Sequence, residues 1–520
     1  MGLAGIDYVI LAIYGVALVA LATWVSRRPD ESGRDTSDYF LAGRALPWWA
    51  IGASLIAANI SAEQVIGMSG SGYAIGLAIA SYEWMAAITL VIVGKYFLPI
   101  FIRQRIYTMP QFLELRYDAS VRTVMAVFWL GVFTLINLTS ILWLGALTIE
   151  TVTGFDLLHG LLALAAFALL YSLYGGLRAV AMTDIVQVVM LVFGGLLIAW
   201  ISLDAVGGGR GAVAGFGTLI DVAPQKFDMI LSRDNPDYQY LPGLSVLLGG
   251  LWIMNLSYWG FNQYIIQRAL AAKSIREAQK GVLFAAFLKL LMPLMVVIPG
   301  IAAFVLLPQI ERPDAAYPTL LAMAPDGARG LIFAALIAAI VSSLGSMMNS
   351  IATIFTLDLY RPFAPERPEH HYVVVGRIVA ASALAVAVLA ARPLLGDAEQ
   401  AFQWLQEFTG FFTPGVVTLF LLGLFWKRAN AAGAFAAAIG SAAFSLAFKV
   451  SLPQVPFMDR VGLVFLACMV LAVATSLATG KGASSKAVDL AGTDFGTSRG
   501  FNLGSAAIAA ILTFLYWYWW

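Results

Sequence analysis

Asn59, Ser61, Glu63 and Gln64 stand in the run AANISAEQVIGMSGSGY, among Ala, Ile, Val and Met. A second run, GGLWIMNLSYWGFNQYI, sets Asn255, Ser257, Tyr258, Asn262 and Gln263 in similar surroundings. Both runs are apolar enough to cross a membrane, yet hydrocarbon cannot satisfy these side chains. Each must therefore face a protein partner or a wet cavity. Polar and Gly-interrupted spans occurring twice in one chain point to a solute site near the middle of a membrane carrier.

Other groups extend the list. Glu83 in IASYEWMAAI and Lys289 in AAFLKLLMP lie too deep in their runs to snorkel, and read equally as a structural ion pair or as site residues. Lys95 and Asp358 fall nearer span ends, where snorkelling and surface roles are expected. Gln406 in AFQWLQEFTG has Phe402 four residues earlier, on the same helical face. Its amide offers two donors and an acceptor, which suits a polyhydroxylated ligand, and the Phe could cover a sugar's apolar face. The competing reading is a Gln bonded to a neighbouring helix. In AAIVSSLGSMMNSIATIFTLDLY, Ser342 and Ser343 follow Ala339 by one turn. If a helix breaks at AANIS, free carbonyls there and these two hydroxyls make an uncharged oxygen cage, which favours a monovalent cation over a divalent one. Isolated Ser, Thr and small-xxx-small patterns read as contacts between helices.

The elements that must position these groups are membrane helices. The chain has 520 residues, 60% hydrophobic and 12% charged, about half the charge of a soluble domain. Apolar runs give an all-α integral membrane protein with roughly fourteen spans, the two interrupted ones at 46–74 and 243–267. Starting outside, about 21 of the 31 Lys and Arg fall in cytoplasmic loops, among them Arg27, Arg28, Arg34, Arg116 and Arg268. Both termini are then outside the cytoplasm. The first span is too long, and its positive charges wrongly placed, for a cleaved signal. Net charge +1 and the lack of a basic, aromatic patch exclude nucleic acid. Cys468 is the one cysteine, so disulfide and Cys-metal frameworks are excluded. The stretch 204–242 is expected to be a short external cap, KGASSKAVDLAGTDFGTSRG a cytoplasmic linker, and the final YWYWW an aromatic interface anchor.

YFLAGRALPWWAIGASLIAANISAEQVIGMSGSGYAIGLAIASYEWM, NLSYWGFNQYIIQRALAAKS, AFQWLQEFTG, the segment GGLRAVAMTDIVQ from Gly175 and the SSLGSMMNS stretch from Ser342 together resemble the sodium/solute symporter family, and within it the bacterial sodium/galactose branch. The resemblance covers almost the whole chain. It implies the leucine-transporter fold: two inverted repeats of five helices (46–205 and 243–426), each with a broken first helix. One extra helix and a cytoplasmic loop (1–45) precede them, an external loop (206–242) separates them, and three more helices follow (427–520).

By this resemblance Gln64, Glu83, Asn255, Lys289 and Gln406 bind sugar hydroxyls, with Tyr82 and Trp259 lining the pocket. Tyr258 is the inner gate, held by Asn59, and Met68 with Phe402 is the outer gate. Sodium is held by carbonyls of Ala57, Ile60 and Ala339 and hydroxyls of Ser342 and Ser343, and Asp184 lies on its exit route. The family's Glu-Trp-Met-Ser run is Glu83-Trp84-Met85-Ala86 here, so one hydroxyl that would touch the sugar is missing. The expectation is sodium-coupled uptake of a hexose, galactose or glucose, through a bacterial inner membrane, with no obligate protein partner. The alternatives are myo-inositol, a sialic acid, an amino acid or a vitamin as solute, or a sugar sensor that moves nothing. A membrane enzyme is disfavoured: His159, His370 and His371 form no metal constellation, and no nucleophile stands beside a base.

Overall fold

The computed structural model describes residues 3–26, 41–172, 176–396, 401–480 and 482–520. Arg27, Arg28, Arg34, Tyr39, Phe40, Gly175 and Lys481, which entered the sequence reading, lie outside the described residues.

Apolar runs become helices because, in hydrocarbon, only a helix satisfies its own backbone. In chain order they are α1 (Gly5–Ser26), α2 (Trp48–Asn59), α3 (Glu63–Ala74), α4 (Leu77–Arg103), α5 (Met109–Arg116), α6 (Ala119–Thr153), α7 (Leu157–Ser172), α8 (Gly176–Val206) and α9 (Ala212–Val222). There follow α10 (Gly250–Leu256), α11 (Gln263–Leu270), α12 (Ile275–Leu306), α13 (Ala328–Phe363), α14 (Glu369–Leu395) and α15 (Ala401–Gly410). The last four are α16 (Thr413–Phe425), α17 (Ala431–Ser451), α18 (Phe457–Thr479) and α19 (Arg499–Tyr518). Among the described residues, nine helices are long and apolar enough to cross a membrane. Two bent pairs raise this to eleven: α2 with α3, at 61°, and α15 with α16, at 50°. The apolar stretches Gly5–Leu21 and Leu157–Leu170 are shorter, and the run 243–267 is divided between α10 and α11.

The middle of the molecule is built around α12, which packs on α2, α3 and α4, while α8 packs on α13 and α2. At Gly300 of α12 a Cβ would stand 2.1 Å from the Ser69 carbonyl oxygen of α3, so only glycine permits this backbone contact. Helix ends are satisfied locally or from afar. Asp118 and Asn430 accept from Val121 N at 2.9 Å and Gly433 N at 3.0 Å. Asp7 of α1 reaches across to accept from Gly327 N at 2.7 Å and Gly330 N at 2.8 Å, capping α13 from another helix.

Several expectations need correction. The run 398–426 reads as one span but bends at Phe411–Phe412, because Pro414 opens a new helix at its first turn. Arg116 and Arg268, counted as loop charges, are buried. Arg116 donates to the carbonyls of Gly423 at 2.7 Å and Trp426 at 2.9 Å, the free acceptors at the end of α16. Asp358 is buried and accepts from Thr108 Oγ1 at 3.0 Å instead of facing the surface. The aromatic C-terminus divides its work: Trp517 and Trp520 are exposed, whereas Trp519 packs on Phe227 and accepts from Met229 N at 2.8 Å.

Candidate functional site

The first break follows from the local chemistry of Asn59-Ile60-Ser61. Ile60 leaves the helix (φ −78°, ψ 84°), and Ser61 Oγ accepts from Glu63 N at 3.1 Å, restarting the chain as a π-helical turn over Glu63–Gly67. In the second run, the π-helical turn Ser257–Phe261 follows α10 and stops at Asn262, whose backbone is extended (φ −84°, ψ 119°). The Asn262 side chain accepts from Tyr264 N at 3.0 Å and starts α11. Polar residues with short side chains thus do what water cannot do inside a membrane.

The two breaks meet at a cavity of about 130 Å³. Every residue assigned to sugar or gate lines it: Gln64, Tyr82, Glu83, Asn255, Trp259, Lys289, Gln406, Asn59, Met68, Tyr258 and Phe402. Lys289 Nζ donates to both Glu83 Oε2 and Asn59 Oδ1, and Asn59 Nδ2 donates to Tyr258 Oη at 3.1 Å. Glu83 and Lys289 are therefore an ion pair that also lines the cavity. The Lys289 ammonium also lies 5.0 Å from the Trp259 ring centre, a cation–π contact. Gln64 Oε1 accepts from Ser61 Oγ at 3.0 Å. At one end Phe402 packs edge-on against Tyr82, ring centres 5.4 Å apart. It also touches Gly67, where a Cβ would come within 2.8 Å of Phe402 Cβ.

Several cavity residues drew no role from the sequence, among them Glu63, Asn137, Thr409 and Thr413. Glu63, noted only as polar, accepts from Ser140 Oγ of α6. Asn137, in a π-helical turn of α6, also faces the cavity and carries no signal in the sequence beyond its polarity.

A second cluster lies beside α2. Ser343 Oγ stands 3.3 Å from Ala57 O and 3.1 Å from Ala58 O, bringing α13 against the end of α2. Ile60, Ala339 and Ser342 are buried on the same two segments. Ser342 Oγ donates to Asp184 Oδ1, and Ser54 Oγ donates to Asp184 Oδ2 at 2.5 Å. Arg268, which sequence placed in a loop, donates to Ser54 O at 3.1 Å, to Ser54 Oγ at 3.0 Å, and to Ser346 Oγ and Tyr264 O. Tyr264 Oη donates to Ala58 O. Carbonyl and hydroxyl oxygens without formal charge suit a monovalent cation, and among the described residues no three His, Cys, Asp or Glu gather as a metal cluster.

Residues 39–440 match the sodium:solute symporter family. The chain belongs to that family. A sodium/glucose cotransporter of Vibrio parahaemolyticus is 51% identical over 538 residues, covering 100% of this chain and 99% of that protein. Sodium/myo-inositol cotransporter 2 of Mus musculus is 34% identical, over 83% of this chain and 68% of its own. Two solved structures share the fold. One is a Na+-coupled sialic acid symporter, substrate-bound and outward-open (TM-score 0.79, 24% identity, 92% of this chain and 99% of that one). The other is Mhp1, a nucleobase-cation-symport-1 family transporter (TM-score 0.54, 16% identity, 87% and 98%). As a sodium:solute symporter, this is an all-helical, multi-pass membrane transporter and not an enzyme.

Proposed function

We propose that the chain is a symporter that couples sodium entry to uptake of a neutral hexose, galactose or glucose, across a bacterial inner membrane. The nine unbroken spans, the two bent pairs, α1, α7 and the divided α10–α11 run make fourteen crossings in this reading, with both termini outside. Two inverted five-helix repeats then open on α2–α3 and on α10–α11.

One observation carries the proposal: the single broken stretch from Ala57 to Gln64 serves both clusters. Its Ala57 and Ala58 carbonyls meet Ser343, and its Asn59 meets Lys289 and Tyr258. In this reading sodium sits among the carbonyls of Ala57, Ile60 and Ala339 and the hydroxyls of Ser342 and Ser343, tying α2 to α13. Gln64, Glu83, Asn255, Lys289 and Gln406 take the sugar hydroxyls, while Tyr82 and Trp259 line the pocket and Tyr258 covers the ring. A cation shifts the conformational balance only through its different affinity for the two states. A cage that closes when α2 and α13 meet supplies that difference, and Asn59, one residue beyond Ala58, passes it to the pocket. Asp184, beside Ser342, then receives sodium on its way out.

The cavity wall continues along Trp129, Val132, Thr413 and Val416 toward the cytoplasmic side, while Phe402 on Gly67 closes the other. This supports an inward-facing arrangement with Met68 and Phe402 shut as the outer gate. The driving force is sufficient. One charge crossing about 100 mV supplies roughly 2.3 kcal/mol and a tenfold sodium gradient about 1.4 kcal/mol, enough for accumulation of a few hundred-fold at a one-to-one ratio.

The test is uptake of labelled galactose and glucose into proteoliposomes, with sodium or potassium outside and myo-inositol and sialic acid as competitors. Saturable entry only in sodium is expected. Equal entry in both salts removes the coupling, and full competition by myo-inositol with none by either hexose reassigns the solute.

A further inference from the structure

Glu407 directly follows Gln406 on α15, and its Oε1 accepts from Arg460 at 3.1 Å and from Lys449 at 3.0 Å. Arg460 belongs to α18 and Lys449 to α17, a closely packed pair that the reading above leaves outside the two repeats. Helix α17 also holds the hinge at the foot of α15. The Phe411 carbonyl accepts from Ser441 Oγ at 2.8 Å and from Ser445 Oγ at 3.2 Å, and Ser441 Oγ accepts from Gly415 N at 3.0 Å. Lys449 Nζ lies 5.6 Å from the Phe411 ring centre.

The arm itself is not fully satisfied where it rests. Gln403 is buried with neither amide atom hydrogen-bonded among the described residues. A buried, unpaired amide disfavours the position that creates it, so other contacts must hold α15 there. Exposed ion pairs contribute little, but the Arg460 side chain is only 13% exposed, and one carboxylate is shared by cations from two helices.

We infer that Glu407 is a positioning residue: its pairs with Lys449 and Arg460 hold α15 closed over the cavity, setting Gln406 and Phe402, and they break when the outer gate opens. This rests on the transport reading above, which supplies the two states. The hinge seryl groups stay bonded as the arm swings, and α17 and α18 act as its fixed mount. Gln403 gains partners in the open position.

The experiment uses the full chain in proteoliposomes. Cys468 is the only cysteine, so a Cys468→Ala background with Met68→Cys gives a single reporter within the gate itself, the variant serving as its own reference rate. A charged thiol reagent is added outside, without sodium or sugar. Glu407→Gln is expected to speed labelling roughly fivefold, as is the Lys449→Gln/Arg460→Gln pair. Adding Glu407→Gln to that pair should change nothing more. Made in Lys449→Gln, the exchange Glu407→Arg with Arg460→Glu should bring the rate back toward that of Lys449→Gln alone. Unchanged labelling in Glu407→Gln, or simple additivity, overturns the inference. If Glu407→Gln fails to assemble, the reporter protein answers alone. Raising choline chloride from about 0.05 to about 1 M must speed labelling by screening the pairs, and a flat rate overturns the inference. Loss of sodium dependence in uptake would fault the transport reading and leave this result untouched.

Discussion

Asn59 donates its side-chain amide to Tyr258 Oη at 3.1 Å, joining the two broken helices across the cavity. The bond holds the tyrosine hydroxyl in place, and Lys289, donating to the amide oxygen of Asn59, fixes the amide. Tyr258→Phe keeps the ring and removes the bond, at a cost of about 0.5–1.5 kcal/mol, or roughly 2–10-fold. Labelled sugar should leave purified protein faster by that factor, with sodium half-saturation unaltered. An unchanged release rate would remove Tyr258 from the gate.

Gln406 and Ser343 should fail in different ways. Gln406 faces the cavity, whereas Ser343 meets the Ala57 and Ala58 carbonyls. Gln406→Ala should raise the sugar KM about tenfold or more at saturating sodium, by the loss of one or two hydrogen bonds. Ser343→Ala should raise the sodium half-saturation instead. Initial-rate uptake over a grid of both solutes separates them, and identical behaviour would contradict two distinct sites.

Lys289→Met would leave Glu83 buried and unpaired, which typically costs about 3–5 kcal/mol. Thermal unfolding in detergent should fall clearly for the single variant. It should recover in Lys289→Met/Glu83→Gln, which removes both charges. Sugar uptake should stay lost in both. Stability untouched by Lys289→Met would mean that Glu83 has another partner.

Arg268 grips α2 through Ser54 and α13 through Ser346, beside the carboxylate of Asp184. Arg268→Gln should destabilise the protein by about 2 kcal/mol or more through unpaired buried groups. Adding Asp184→Asn should return part of that loss. A calorimetric double-mutant cycle measures it, and a zero coupling energy would show that Ser54 insulates the two charges.

Much of this architecture was legible in the residues themselves. A side chain such as Gln64 or Glu83 inside an apolar run announces a partner, because hydrocarbon offers none. The same argument located both broken helices. The resemblance supplied roles, and the cavity then gathered every sugar and gate residue it implied.

What stayed hidden depended on neighbours distant in sequence. Counting positive charges treats Arg116 as a loop cation, because the carbonyls of Gly423 and Trp426 that receive it lie 307 and 310 residues further on. Asp358 looked terminal, but Thr108 folds over it. Glu63 gained meaning only once Ser140 stood opposite. The bend before α16 was a missed local signal: Pro414 after Thr413 marks a helix start, obscured by the continuous apolarity around it.

The backbone contact of Gly300 with Ser69 leaves no clearance for slip between α12 and α3. Lys289 and Gln64 ride on those two helices, so this contact sets the distance between them. On the proposed reading the solute then meets one rigid jaw, and its capture and discharge fall to the groups that face it.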